Sequence, residues 1–351
     1  TGLATDQDRL VIIGDSAKGV ADIFMVESAV HIEPVVKHPS RISVRWEQAI
    51  PLPLSKTAWD GKEAIYGIEE SDKKNRIVKI VNGAVAGEIN VADFSPVSVV
   101  VDMSGAVWAL DKKKSKIVKL DDSGNILASI GTSGSRKGEL DDAEDFAISS
   151  TGIIFVADSG NSRVQAFSSD GVFLKEIRND VSGKLDEPVA IALDPQNGLY
   201  VLDKGRSVVS IYSAKGEPLG VFGKLPDGSA ILTKPVALMA TQDEVFVLDS
   251  DRVKVFSHIG QYIRSFADGG SAPGELAEPV AITATGDTTF VISERGNKRL
   301  QAFTTLHKLW TPEQLTAQGE VHAIELRWAA SLLPYVKQYR IYRSQSENSA
   351  F

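Results

Sequence analysis

The sequence has 351 residues and a mass of 37.8 kDa, enough for two domains of ordinary size. Hydrophobic residues make up 43% and charged residues 24%, which excludes a chain too polar to fold. Lys and Arg total 38 against 46 Asp and Glu, a net charge of −8 that disfavours nucleic acid and anionic membrane as partners, while the absence of cysteine excludes disulfides, thiolate nucleophiles and Cys-ligated metals.

Residues 1–49 read as short strands without a clear place. Leu10–Asp15 is an apolar run ending in an acid, and Phe24 lies nine residues after Asp15. Arg41–Trp46 reads as a further strand. The segment is expected to be a diverged copy of the units that follow, or a set of closing strands.

Six similar units then run to about residue 310. Each contains an apolar strand ending in an acid, a polar turn and a second strand. Ile65–Glu69 leads to Arg76–Ile80, Val107–Asp111 to Lys116–Leu120, and Phe155–Asp158 to Arg163–Phe167. Leu199–Asp203 leads to Val208–Tyr212, Val245–Asp249 to Arg252–Phe256, and Val291–Glu294 to Arg299–Phe303. The acids Glu69, Asp111, Asp158, Asp203, Asp249 and Glu294 are separated by 42, 47, 45, 46 and 45 residues.

A Pro-Val pair opens an earlier strand at Pro96, Pro188, Pro235 and Pro279; Asp145-Phe146 is read as its substitute in the third unit. A fourth strand follows a glycine turn in most units. Four strands in about 45 residues cannot bury both faces of one sheet. Radial stacking of such sheets can, and predicts an all-β propeller.

Strand alternation puts the loops after the acids and the long connections between units on one face. Long loops on a rigid ring are a usual place for recognition. Lys112, Lys113, Lys114, Arg206, Arg295 and Lys298 stand there as candidate contacts for a partner. The acids, with Arg163 and Arg299, are expected to close turns rather than hold ligand. The acidic run Asp141, Asp142, Glu144 and Asp145 lacks the spacing of a dedicated calcium loop, so calcium is a weak expectation and no other cofactor is expected. The five histidines share no column and no metal-ligand spacing, and no catalytic constellation is readable.

The segments Pro188-Val-Ala and Val156-Ala-Asp-Ser-Gly-Asn-Ser-Arg-Val-Gln-Ala-Phe167 resemble the NHL repeat family of β-propellers. The resemblance covers about 50–310 and implies four-stranded blades. The strand count leans to seven blades, with 1–49 as the diverged one; family habit favours six with N-terminal strand closure. Residues 311–351 resemble the first three strands of a fibronectin type III domain, with Trp328 as the core aromatic, and suggest a chain continuing past Phe351. The expected domains are thus 1–310 and 311–351.

This pairing of modules implies a non-catalytic scaffold that meets another protein, in a larger bacterial envelope or extracellular assembly. No nucleic-acid partner is expected. The alternative is a propeller enzyme of lyase or lactonase type with a metal in the central channel.

Overall fold

The structure is a computed structural model. It describes side chains over residues 47–305, apart from 70–75, 226, 251 and 287, and describes the strand backbone alone in parts of 1–46 and 316–344. The chain divides into two compact units, residues 45–304 and residues 1–44 with 305–351.

The larger unit is a six-bladed propeller of four-stranded antiparallel sheets. Blade 1 comprises Leu54–Trp59, Ala64–Glu69, Arg76–Val81 and Ala84–Ile89; blade 2 comprises Pro96–Val101, Val107–Asp111, Lys116–Leu120 and Ile126–Ile130. Blade 3 comprises Ala143–Ile148, Ile154–Asp158, Arg163–Phe167 and Phe173–Ile177; blade 4 comprises Pro188–Leu193, Leu199–Asp203, Val208–Tyr212 and Pro218–Phe222. Blade 5 comprises Pro235–Ala240, Val245–Asp249, Arg252–Phe256 and Tyr262–Phe266. Blade 6 takes three strands from the end of the repeats, Pro279–Ala284, Thr289–Glu294 and Arg299–Thr305. Its outer strand is Val44–Ile50, from before blade 1.

That strand closes the ring as the six-bladed alternative with N-terminal strand closure expected, and corrects the lean to seven blades. The C-terminal part of the strand expected at 41–46 thus completes the sixth blade and does not belong to an extra unit. Closure of this kind removes the free edge that an open ring would leave. The innermost strands neighbour one another all the way round, with Pro279–Ala284 against Leu54–Trp59.

The core lies between the blades. Tyr66, Ile68 and Ile77 of blade 1 pack with Val107, Ala109 and Val118 of blade 2. Tyr200, Leu202 and Val209 of blade 4 pack with Val245, Val247 and Phe256 of blade 5. The second strand of blades 2 to 5 is buried at every residue. It is covered on both faces, so the apolar run is nearly continuous instead of alternating. Outer strands show the opposite: Leu127, Leu174, Leu219 and Ile263 are exposed.

The smaller unit joins the two ends of the chain. Its five-stranded sheet runs Gly2–Thr5, Val11–Asp15, Val20–Phe24, Ala323–Arg327, Thr316–Glu320. A separate pair joins Ala29–Val35 to Gln338–Ser344. The strands at the start of the chain therefore pair with the C-terminal segment, a division different from the 1–310 and 311–351 expected. A fibronectin type III arrangement is not shown, and Trp328 lies outside the described residues.

Candidate functional site

The acid column works on backbone. Asp158 accepts the Asp141 N–H at 2.8 Å, Asp203 accepts from Asp186 and Glu187, Asp249 from Thr233 and Lys234, and Glu294 from Ala277. Each contact ties a blade's second strand to the long connection that enters the same blade. Arg163, 1% exposed, completes the arrangement in blade 3. Its Nε meets Asp158 at 2.6 Å, Nη1 meets Glu176 at 3.0 Å, and Nη2 donates to the carbonyls of Arg136 and Glu139.

Arg299 repeats this in blade 6, holding Glu294 and the carbonyls of Ser271, Ala272 and Glu275. The sequence reading overlooked two partners in each clamp. Gln165 and Gln301 reach the same loop carbonyls, of Glu139 and Glu275, and Asn161 and Asn297 reach those of Gly134 and Gly270. Their presence at matched places in the two best repeats was the available signal. In blade 1 the pair is Glu69 and Arg76, 2.5 Å apart.

Asp111 differs from its counterparts. It is 1% exposed, its Oδ1 accepts the Lys114 N–H at 3.2 Å, and its Oδ2 has no hydrogen-bond partner. The connection into blade 2 is short, so the loop that its counterparts hold is missing here.

The basic candidates are mostly engaged within the chain. Lys112 meets Asp142 at 2.8 Å and Glu144 at 2.5 Å, and Lys113 and Lys114 both reach Asp93. Arg206 pairs with Asp180 at 2.8 Å and lies 3.5 Å from Asp203. Arg295 and Lys298 are exposed on the blade 6 loop. These residues lie in separate blades and do not form one cluster. The acidic run is divided too: Asp142 and Glu144 turn to Lys112, while Asp145 enters the channel. Among the described residues no group of three or more His, Asp or Glu side chains is arranged to hold a metal ion.

A different constellation lies on the propeller axis. In blades 2 to 6 the register of the innermost strand shifts between its first and third residues, and in blade 1 between Leu54 and Thr57. Such bulges can re-aim side chains. The third residue is Lys56, Ser98, Asp145, Ala190, Ala237 and Ala281 in blades 1 to 6. Three polar residues on consecutive blades therefore face a half-ring of alanines. The pairings also correct the alignment made from sequence: Ala143-Glu144, not Asp145-Phe146, takes the place of Pro-Val.

The polar three are joined. Lys56 Nζ lies 3.1 Å from Asp145 Oδ2, and Ser98 Oγ donates to Asp145 Oδ1 at 2.6 Å. The Ile191 N–H donates to Asp145 Oδ2 at 3.1 Å. From this level the channel continues along apolar side chains, among them Phe146, Ile191, Leu238 and Met239. It encloses about 250 Å³. Thr57 and Thr283 add hydroxyls, with their Oγ1 atoms 2.7 Å apart.

One histidine is described with its side chain. His258, on the short-turn face, places Nδ1 2.7 Å from the Tyr200 hydroxyl. Tyr200 also donates to Asp194 at 3.3 Å. Burial first, and then the Asp194 charge, push the Tyr200 hydroxyl well above its ordinary pKa. This contact joins the edges of blades 4 and 5 and lies away from the polar arc.

The NHL repeat family profile matches residues 140–167. No curated protein matches the chain in sequence. Among solved structures, virginiamycin B lyase from Staphylococcus aureus is similar at 15% identity and a TM-score of 0.53, over 82% of this chain and 99% of that one. A streptogramin B lyase is similar at 15% identity and a TM-score of 0.51, over 90% and 98% of the two chains. A catalytically inactive S. aureus virginiamycin B lyase variant with quinupristin gives 14% identity and a TM-score of 0.51, over 86% and 100%. At such identity the likeness establishes the propeller fold. It also corrects the expectation of a non-enzyme, because the same ring serves lyases in these neighbours.

Proposed function

We propose that the chain is a small-molecule propeller enzyme whose site is the central channel, with Lys56, Ser98 and Asp145 as its polar end. The observation that carries this reading is the arc itself: three joined polar side chains at one level of a channel lined elsewhere by apolar residues and by the Thr57 and Thr283 hydroxyls. A cavity with few convergent polar groups is the usual form of a ligand site. The fold likeness to lyases supports the enzyme class and says nothing of substrate.

The roles follow from the hydrogen bonds. Asp145 accepts hydrogen bonds from the Ser98 hydroxyl and the Ile191 N–H and is ion-paired with Lys56. It acts as a positioning residue for Lys56. The Lys56 ammonium, ion-paired with Asp145, carries three N–H donors and can hold a ligand oxygen on which negative charge develops.

The test compares wild type with Lys56→Met after incubation with a fractionated small-molecule extract, read by mass spectrometry. The reading expects a compound consumed by wild type and spared by the variant. Equal consumption by both proteins would sink the role of Lys56, and no consumption by either would sink the enzyme reading.

A second reading places a protein partner on the loop face of blade 6. Its support is the exposure of Arg295 and Lys298 on one turn. Charge reversal of both would abolish capture of that partner while leaving the channel intact.

A further inference from the structure

We infer that the channel takes a short aliphatic group carrying a neutral carbonyl, with the carbonyl oxygen on the Lys56 ammonium and the chain along Ile191, Leu238 and Met239. This rests on the channel reading above and adds the class of ligand.

The hydrogen-bond inventory selects the head group. Asp145 already accepts from Ser98 and Ile191 and is ion-paired with Lys56, 3.1 Å away. An incoming ammonium at that carboxylate would meet the like charge of Lys56. Lys56 is 20% exposed, and among the described residues Asp145 is its ion-pair partner. An ammonium carries three donors and no acceptor. The capacity of the arc that a ligand can meet without facing a like charge is therefore the donating one, and it calls for an acceptor.

Charge then selects among acceptors. Lys56 and Asp145 sum to zero. A carboxylate drawn to Lys56 would also face the Asp145 charge 3.1 Å away from that nitrogen. A neutral carbonyl meets the same donor without this repulsion. The volume selects the tail: about 250 Å³ is below the usual range for a drug-sized ligand, so a small molecule or one arm of a larger one enters. The walls beyond the arc offer aliphatic side chains, and each methylene that reaches them should improve affinity about fourfold until the channel is full.

The test uses the whole protein with labelled Met and Ile methyl groups. The probes are the N-methyl amides of butanoic, hexanoic and octanoic acid, with hexanoate and hexylammonium as controls. The expected result is a saturable shift of the Met239 methyl, with the hexanoyl amide bound at least tenfold tighter than either control. Lys56→Met should weaken the amide at least tenfold, and Lys56→Arg, which keeps the donors, should restore most of the loss. If Met239 shifts but hexanoate or hexylammonium binds as well as the amide, the head-group assignment is overturned and the channel reading stands. If no probe shifts a channel methyl, both are overturned.

Discussion

Asp145 of blade 3 reaches past blade 2 to contact Lys56 of blade 1, with Oδ2 and Nζ 3.1 Å apart. Ser98 of the intervening blade holds the other carboxylate oxygen. One ion pair thus links three blades where the other three contribute alanine. Removing Lys56 would leave Asp145 poorly compensated. Lys56→Met should cost about 1–3 kcal/mol and lower the melting temperature, as expected for leaving a largely buried carboxylate without its counter-charge. Ala281→Ser at the same level should change stability little. Calorimetric melts of the two variants check both outcomes.

The loop clamps should dominate stability elsewhere. Arg163 is 1% exposed and holds a carboxylate and two loop carbonyls at once. Lysine keeps the charge but cannot span those partners. Arg163→Lys is expected to cost about 3 kcal/mol, in the range for breaking a buried pair. Denaturant unfolding measures it, and faster proteolysis between Gly131 and Asp142 should accompany it.

Asp111 should behave oppositely to Asp158. One of its oxygens is buried with no partner, whereas Asp158 is fully used. Asp111→Asn removes a buried charge at little loss and should lie within about 1 kcal/mol of wild type, or above it. Asp158→Asn should cost several times more. Paired denaturation curves decide this.

Acid sensitivity has a definite sign. Burial opposes ionisation of Asp102, but the Ser104 hydroxyl, the Trp108 indole N–H and the backbone N–H groups of Ala106 and Ser104 hold its pKa down to about 2, from an ordinary 3.8. Asp249 is lowered as well: burial opposes its ionisation, while Lys254 and the N–H groups of Lys234 and Thr233 favour it. Groups lowered in the folded state stabilise it above their unfolded pKa, and that contribution is lost as pH falls through the folded value. Stability should therefore be flat from pH 7 to about 5 on their account and fall between about 4 and 2. Trp108→Phe removes one donor to Asp102 and should move the fall to higher pH. Urea unfolding across this range, in both proteins, checks the direction.

Ring closure gives the last of these expectations. Val44–Ile50 supplies the outer strand of blade 6. Loss of this strand leaves the third strand of blade 6 as an open edge, although every repeat remains present. A Pro substituted at Glu47 should blunt the strand and broaden thermal unfolding, because a mid-strand Pro can remove a ladder hydrogen bond. A sharp, unchanged transition would argue against closure by this strand.

The blades were legible because each is made of neighbouring hairpins. The spacing from Asp158 to Arg163, or from Glu294 to Arg299, is set within one turn and repeats with the unit. The blade count was less legible, since the closing strand lies before the first repeat and carries no mark of the last. The arc was nearly invisible. Lys56, Ser98 and Asp145 are 42 and 47 residues apart, and each is one unremarkable residue in its own strand. Only alignment by pairing register brings them to one level. The available hint was the third unit, where an acid stands in a column otherwise filled by Lys, Ser and Ala. The loop cations drew attention because they cluster in sequence, yet Lys112 and Arg206 are held by carboxylates across loops that sequence spacing does not show.

The central claim, that a ligand occupies the channel, is tested most directly by filling it. Ala237 lines the cavity across from the arc and is 3% exposed. Calorimetric titration of the hexanoyl N-methyl amide into wild type and Ala237→Leu compares an open channel with a blocked one. The account predicts binding heat in wild type and its loss in the folded variant. Equal binding to both would place the ligand elsewhere and contradict the account.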